Sequence, residues 1–160
     1  MSKKVQIIGV IRIVMVLLLI GFIISLQSGG KVSDADINDV AQSVIAQLDM
    51  SSMQESPHRN FKKFYGLNAA DYEGVVLYSP VTNMDAEELL IVKLKDTSQA
   101  EAVETAINKR LETQKNSFEG YGIEQYDLLE KHVLDVQGNY ILYVVHTDAA
   151  KADQAFRDSL

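Results

Sequence analysis

A long apolar stretch, Ile7–Leu26, constrains this chain more than any other feature of its sequence. In a helix, these residues at about 1.5 Å each span about 30 Å, the thickness of the hydrocarbon core of a bilayer. Arg12 lies near the amino-terminal end of the stretch, where a long side chain can reach the headgroups. A helix that is apolar on all sides needs a larger protein around it than the remaining residues supply. The stretch therefore predicts a transmembrane helix over residues 7–26 rather than a buried core helix.

Flanking charges predict how this helix is oriented. Lys3, Lys4 and Arg12 precede its uninterrupted core, whereas only Lys31 follows closely. Positively charged flanks remain in the cytosol, so we expect residues 1–6 to be cytosolic and everything after the helix to lie outside the cell membrane.

Cleavage of this segment is the alternative. A signal peptide has a shorter apolar region and a small-x-small cleavage site, and only Ser28-Gly29-Gly30 offers such a site here. The sequence therefore favours an uncleaved, single-pass anchor that binds the lipid bilayer through residues 7–26.

Composition narrows the class of protein. The chain has no cysteine, which excludes disulfides, thiol nucleophiles and lipid attachment through a thiol. Residues 31–160 carry 12 basic and 22 acidic side chains, a net charge of −10. That balance argues against nucleic acid and anionic lipid headgroups as partners of the domain, because both require a basic surface.

Hydrophobic spacing divides the rest of the chain into a linker over 27–35, rich in glycine and serine, and a domain over 36–160. Helices are predicted from Asp36, from a capping-box sequence at Ser98–Glu101 and from Thr147 or Asp148. Residues 51–58 read as a polar loop. The predicted strands are Val75–Ser79, Glu88–Lys95, Val133–Val136 and Tyr140–Val145.

The order of these elements, α-ββα-ββα, predicts an α+β fold. Leu90, Val92 and Leu94 alternate with their neighbours as a strand with one buried face should. We therefore expect a four-stranded, mainly antiparallel sheet with helices packed on one face. A tight turn at Gly138-Asn139 joins the last two strands.

Signatures of cofactor, metal or nucleophilic chemistry are lacking in the sequence. The acids near Asp36 do not continue as a calcium loop, and the three histidines have no metal-ligand spacing. We therefore expect no cofactor, no metal and no catalytic residue. Paired carboxylates leave one enzymatic alternative open, an envelope hydrolase that uses Glu87, Glu88, Glu124 or Asp127 for acid–base chemistry.

Tyrosine outnumbers phenylalanine by seven to five. Such rings combine an apolar body with a polar tip, which suits a recognition surface, although core and sheet positions account for tyrosines equally well. The candidate recognition residues are Tyr65, Tyr72, Tyr121, Tyr126 and Tyr140.

Several segments carry a resemblance to a known family. They are residues 64–73 (FYGLNAADYE), 87–93 (EELLIVK), 114–121 (QKNSFEGY) and the Gly138-Asn139-Tyr140 turn. Over roughly residues 40–145 the chain resembles the bacterial domain-of-unknown-function family numbered 4358. The resemblance implies a small protein of Gram-positive, clostridia-like bacteria, held outside the membrane by an anchor or a lipid. Many relatives carry a lipid-attachment cysteine that this chain lacks, and the family has no assigned activity.

These features together predict a membrane-anchored extracytoplasmic domain that acts as a non-catalytic binding or accessory module of the cell envelope. Its expected partner is an envelope protein or peptide, held at a sheet edge or a tyrosine-bearing face. The alternatives are the carboxylate hydrolase and a small-ligand-binding domain.

Overall fold

The computed structural model describes residues 31–160, together with Met15, Val16 and Leu19. Those three residues are helical and exposed, whereas the rest of the predicted membrane segment, residues 1–6 and residues 27–30 lie outside the described residues. Among the residues that are described, no helix has both the length and the hydropathy needed to cross a bilayer. Residues 31–160 form a compact unit.

Residues 31–160 contain five α-helices and five β-strands. The helices are α1 (Ile37–Ile45), α2 (His58–Tyr65), α3 (Ala100–Phe118), α4 (Ile123–Glu130) and α5 (Ala149–Asp158). The strands are β1 (Met53–Glu55), β2 (Gly74–Pro80), β3 (Glu88–Lys93), β4 (Val133–Gln137) and β5 (Tyr140–Val145). All four predicted strands are present, and their ends fall within two residues of the predicted ends.

The strands form one antiparallel sheet in the order β1-β2-β3-β5-β4. The α+β class is confirmed, but the expected number of four strands is wrong because β1 adds a fifth. This strand lies in the segment predicted to be a polar loop, and it pairs with β2 from Met53 opposite Pro80 to Glu55 opposite Tyr78. Three residues are too few to show strand periodicity in a sequence.

Helices cover both faces of the sheet, which corrects the expectation of one covered face. On one face α1 and α5 pack over Leu89 and Ile91. On the other face α2, α3 and α4 pack over Leu90 and Val92. Every residue of β3 and β5 is buried, since these central strands carry apolar side chains at nearly every position rather than at alternate ones.

Local signals in the sequence set several helix and strand ends. Gly66 ends α2 in the left-handed conformation, with φ of +72°, and Gly138 turns the β4–β5 hairpin with φ of +60°. The capping box before α3 lies two residues earlier than predicted. Asp96 accepts from the Ser98 amide at 2.8 Å, and the Gln99 side chain accepts from the Asp96 amide at 3.2 Å.

The chain joins the domain at the end of the sheet where β5 begins. The Ser33 amide donates to Asn139 Oδ1 at 2.7 Å, and the Ser33 hydroxyl donates to the carbonyl of Leu160 at 3.0 Å. Two residues later, the Ala35 carbonyl accepts from the Tyr140 hydroxyl at 2.6 Å. Residues 33–35 are therefore fixed beside the β4–β5 turn.

Two truncations test whether both faces of the sheet are required. Phe156→Ala in α5 and Ile107→Ala in α3 each remove a fully buried side chain from opposite faces. Each should lower the free energy of unfolding by about 3 kcal/mol or more, measured by denaturant titration of the full-length chain in detergent. Lys151→Ala, on the exposed side of α5, is the control and should change it by less than about 0.5 kcal/mol. Tolerance of either core truncation would contradict a sheet covered on both faces.

Candidate functional site

A buried carboxylate lies at the start of the central strand β3. Glu88 has no solvent exposure and shares the face of Leu90 and Val92, toward α2 and α3. Arg110 of α3 donates from Nη2 to Glu88 Oε2 at 2.7 Å and also approaches both carboxylate oxygens through Nε. This ion pair joins the sheet to α3.

Two further side chains complete the coordination of the carboxylate. The hydroxyl of Tyr65, in the last turn of α2, donates to Glu88 Oε1. Gln114, one turn after Arg110 in α3, donates from Nε2 to Oε2 at 3.2 Å and meets the Tyr143 hydroxyl at 3.5 Å through Oε1. A buried carboxylate is tolerated when its charge is paired and its oxygens accept hydrogen bonds, and both conditions hold here. Glu88 therefore has a structural role.

The surroundings of the ion pair shift the pKa values of its neighbours. Burial works to lower the pKa of the Arg110 guanidinium, but the adjacent Glu88 carboxylate outweighs it and the net shift is upward. Burial, reinforced by the charge of Glu88, raises the pKa of the Tyr65 and Tyr143 hydroxyls well above the usual value for tyrosine. Arg110 is therefore charged and the two tyrosines are neutral across the physiological range.

An open cleft of about 370 Å³ lies outside this network, between α2, the C-terminal half of α3 and the β2–β3 loop. We call it the α2–α3 cleft. It is lined by Lys63, Phe64, Ser79, Pro80, Val81, Thr82, Asn83, Asp85, Arg110, Gln114, Ser117 and Phe118. Arg110 and Gln114 belong to both the buried network and the cleft wall, so their bonds to Glu88 fix two side chains of that wall.

The guanidinium of Arg110 is held on two sides. Its Nε and Nη2 atoms face Glu88, and its Cζ atom lies 4.3 Å from the centre of the Phe64 ring. Its Nη1 atom makes no hydrogen bond to another residue within 31–160. An arginine fixed in this way presents one donor edge to the cleft in a defined direction.

The carboxylates suggested for acid–base chemistry lie in different surroundings. Glu88 is buried with both oxygens occupied, whereas Glu124 and Asp127 line a separate open cleft of about 500 Å³ beside α4 and α5. Glu87 points to the opposite face of β3 from Glu88 and accepts from the Ser52 hydroxyl. The structure therefore does not bring Glu88 into the same cleft as Glu124 and Asp127.

His146 lines the same cleft as Glu124 and Asp127 and also lies close to Glu87. Its Nε2 atom lies 3.7 Å from Glu87 Oε1, and its Nδ1 atom accepts from the Asp148 amide at 2.9 Å. Ser52 bonds to Glu87 rather than to His146, so these residues do not form a serine–histidine nucleophile pair. Within residues 31–160, no group of three or more acidic or histidine side chains is arranged to hold a metal ion.

The five candidate tyrosines occupy unlike environments. Tyr65 and Tyr72 are buried with the core around α2, and Tyr140 is buried toward the opposite core. Tyr126 is partly buried beside α3, and Tyr121 is 66% exposed after α3 ends. The structure therefore does not gather them on one surface, and their role in recognition stays a prediction.

Sequence reasoning missed most residues of the site, including Lys63, Arg110 and Gln114. One signal was present: Gln114 is the single polar residue in the apolar stripe of α3, which otherwise comprises Val103, Ile107, Leu111 and Phe118. A second was the position of Glu88, two residues before Leu90 and therefore on the same strand face. A polar side chain in each buried stripe indicates a buried pair, but only the fold shows that the two meet.

The raised pKa of Tyr143 predicts how stability changes with alkali. A hydroxyl whose pKa is higher in the folded state contributes stability that is complete below the unfolded pKa of about 10 and is lost as the pH rises above it. The free energy of unfolding should therefore fall above about pH 10, and Tyr143→Phe should make this fall shallower. At pH 7 the variant should differ by no more than about 1 kcal/mol, because its bond to Gln114 is long. Denaturant titrations across this range measure both effects, and an unchanged alkaline slope would contradict the assignment.

Comparison with known proteins gives one match. The chain fits the profile of a family described as a domain of unknown function (DUF4358) over residues 46–146, more than half of its length. It matches no curated protein and no solved structure. The matched region contains all five strands, α2 to α4 and every residue of the network around Glu88. The resemblance indicated by the sequence is thus confirmed, and the chain belongs to the domain-of-unknown-function family DUF4358.

Proposed function

We propose that this chain is a single-pass, membrane-anchored binding module of the cell envelope and that the α2–α3 cleft holds a protein partner outside the membrane. The apolar stretch Ile7–Leu26, with its amino-terminal positive charges, supports the anchor and its orientation. The observation that carries the binding role is the cleft itself, with Arg110 fixed in its wall by Glu88 and Phe64. Because the Arg110 side chain is fixed before a partner binds, it loses less conformational entropy on binding.

The position of the cleft within the domain suits a tethered protein. The chain joins the domain beside Asn139, immediately before β5, whereas Glu88 pairs with Val145 at the last residue of β5. A strand rises about 3.4 Å per residue, so these two ends of the sheet are about 17 Å apart. The cleft therefore opens at the end of the sheet opposite Ser33 and the β4–β5 turn.

The arrangement of the carboxylates favours binding over hydrolysis in the α2–α3 cleft. General acid–base catalysis needs a carboxyl group that reaches the substrate, and Glu88 has no exposed surface. Glu124 and Asp127 lie in another cleft, one turn apart on the short helix α4. The α2–α3 cleft contains one acid, Asp85, whose carboxylate accepts from the Thr82 hydroxyl at 2.6 Å.

Site-specific photo-crosslinking in the native cells tests this proposal. A photoreactive residue at Ser117 or Asn83, both exposed on the cleft, should give a discrete adduct with one protein. The same residue at Lys151 or Gln154, exposed on α5 over the opposite face of the sheet, is the matched control and should not give that adduct. Equal adducts at all four positions, or none at the cleft, would refute the proposal.

A further inference from the structure

The exposed side of α2 carries a row of cations. Arg59, Lys62 and Lys63 are spaced i, i+3 and i+4, so they lie on one side of the helix, opposite the buried Phe61. We call these three residues the basic face of α2. A helix of this length extends about 12 Å, so the charges form an elongated patch rather than a single point.

This patch is unlike the rest of the domain. Residues 56–70 contain no acidic side chain, although residues 31–160 carry a net charge of −10. Within residues 31–160, no salt bridge joins Arg59, Lys62 or Lys63 to an acidic side chain. Concentrated charge of one sign without internal partners attracts and orients a partner of opposite sign.

The basic face is continuous with the α2–α3 cleft. Lys63 belongs to both, and its Nζ atom lies 5.7 Å from the centre of the Phe64 ring that also contacts Arg110. Arg110, whose charge is balanced by Glu88, adds an unoccupied hydrogen-bond donor to the cleft wall beside Lys63. Asp85, which lines the same cleft, is held by Thr82.

One exposed apolar side chain lines the same cleft, and a second lies in the loop beside it. Val81 is 51% exposed and lines it, and Met84, in the same β2–β3 loop, is 63% exposed. A binding surface that combines exposed apolar side chains with cations matches a peptide that combines apolar side chains with acids. An anionic polymer without apolar groups would leave Val81 and Met84 without contacts.

We propose that the basic face of α2 and the α2–α3 cleft together bind an acidic peptide segment that also carries apolar side chains. The carboxylates of the segment pair with Arg59, Lys62, Lys63 and the free edge of Arg110, and its apolar side chains cover Val81 and Met84. This inference rests on the proposed binding role of the cleft and names the class of its partner.

Peptide binding to the full-length chain in detergent tests the inference. The probe is a fluorescent peptide of alternating glutamate and leucine, with affinity read from fluorescence anisotropy. The triple substitution Arg59→Gln, Lys62→Gln, Lys63→Gln should weaken binding by about tenfold or more, equivalent to about 1.4 kcal/mol. The control, Lys31→Gln, Lys131→Gln, Lys151→Gln, removes the same charge at exposed positions elsewhere and should change affinity less than about twofold.

Further probes test whether the acidic and the apolar side chains of the peptide both contribute to binding. A peptide with glutamine in place of glutamate, and polyglutamate without leucine, should each bind more weakly than the mixed peptide. Absence of binding to the wild-type chain, equal losses in the two triple variants, or polyphosphate binding as tightly as the mixed peptide would overturn the inference. Cleft-specific crosslinking in cells, despite failure here, would leave the binding role standing with a partner of different chemistry.

Discussion

The ion pair between Glu88 and Arg110 determines how the helices on one face meet the sheet. A carboxylate at a fully buried strand position costs several kcal/mol unless nearby donors balance it. Here the donors come from two helices: Tyr65 ends α2, while Arg110 and Gln114 lie one turn apart in α3. One carboxylate thus fixes the end of α2 and the second half of α3 against β3, and the space left between these helices is the α2–α3 cleft. These donors offset the cost of burying the charge, and they also hold Arg110 and Gln114 in place in the cleft wall.

The sides of the Arg110 guanidinium have different surroundings. Its inner edge neutralises Glu88, its face stacks on Phe64 and its outer edge remains open to the cleft. A flexible surface arginine loses side-chain freedom on binding, whereas Arg110 has already lost it in folding. Beside it, the basic face of α2 supplies three positive charges that form no salt bridge within residues 31–160. The proposed recognition of an anionic partner rests on these side chains, at the end of the sheet opposite the β4–β5 turn.

The sequence predicts much of the fold because several local patterns agree with it. The three predicted helices, now α1, α3 and α5, the Gly138 turn and the four longer strands all appear where the local patterns place them. The unbroken apolar runs Leu89–Val92 and Tyr140–Val145 are typical of strands buried on both faces, but the alternation of Leu90, Val92 and Leu94 led to the expectation of one covered face. Strand β1 is too short to show a pattern. Arg110 was missed for another reason: an arginine on a helix reads as exposed, and only the register of β3 places Glu88 beneath it.

The Glu88–Arg110 pair joins α3 to the sheet, and a double-mutant cycle measures the coupling free energy between the two side chains directly. Glu88→Leu and Arg110→Leu should each lower the free energy of unfolding by about 3 kcal/mol, because each leaves the other charge buried without its partner. The double variant should lose much less than their sum, giving a coupling of at least about 2 kcal/mol. The more exposed pair Lys115–Glu130 is the control, with an expected coupling below about 1 kcal/mol. Additive losses at Glu88 and Arg110, within about 0.5 kcal/mol, would contradict the account.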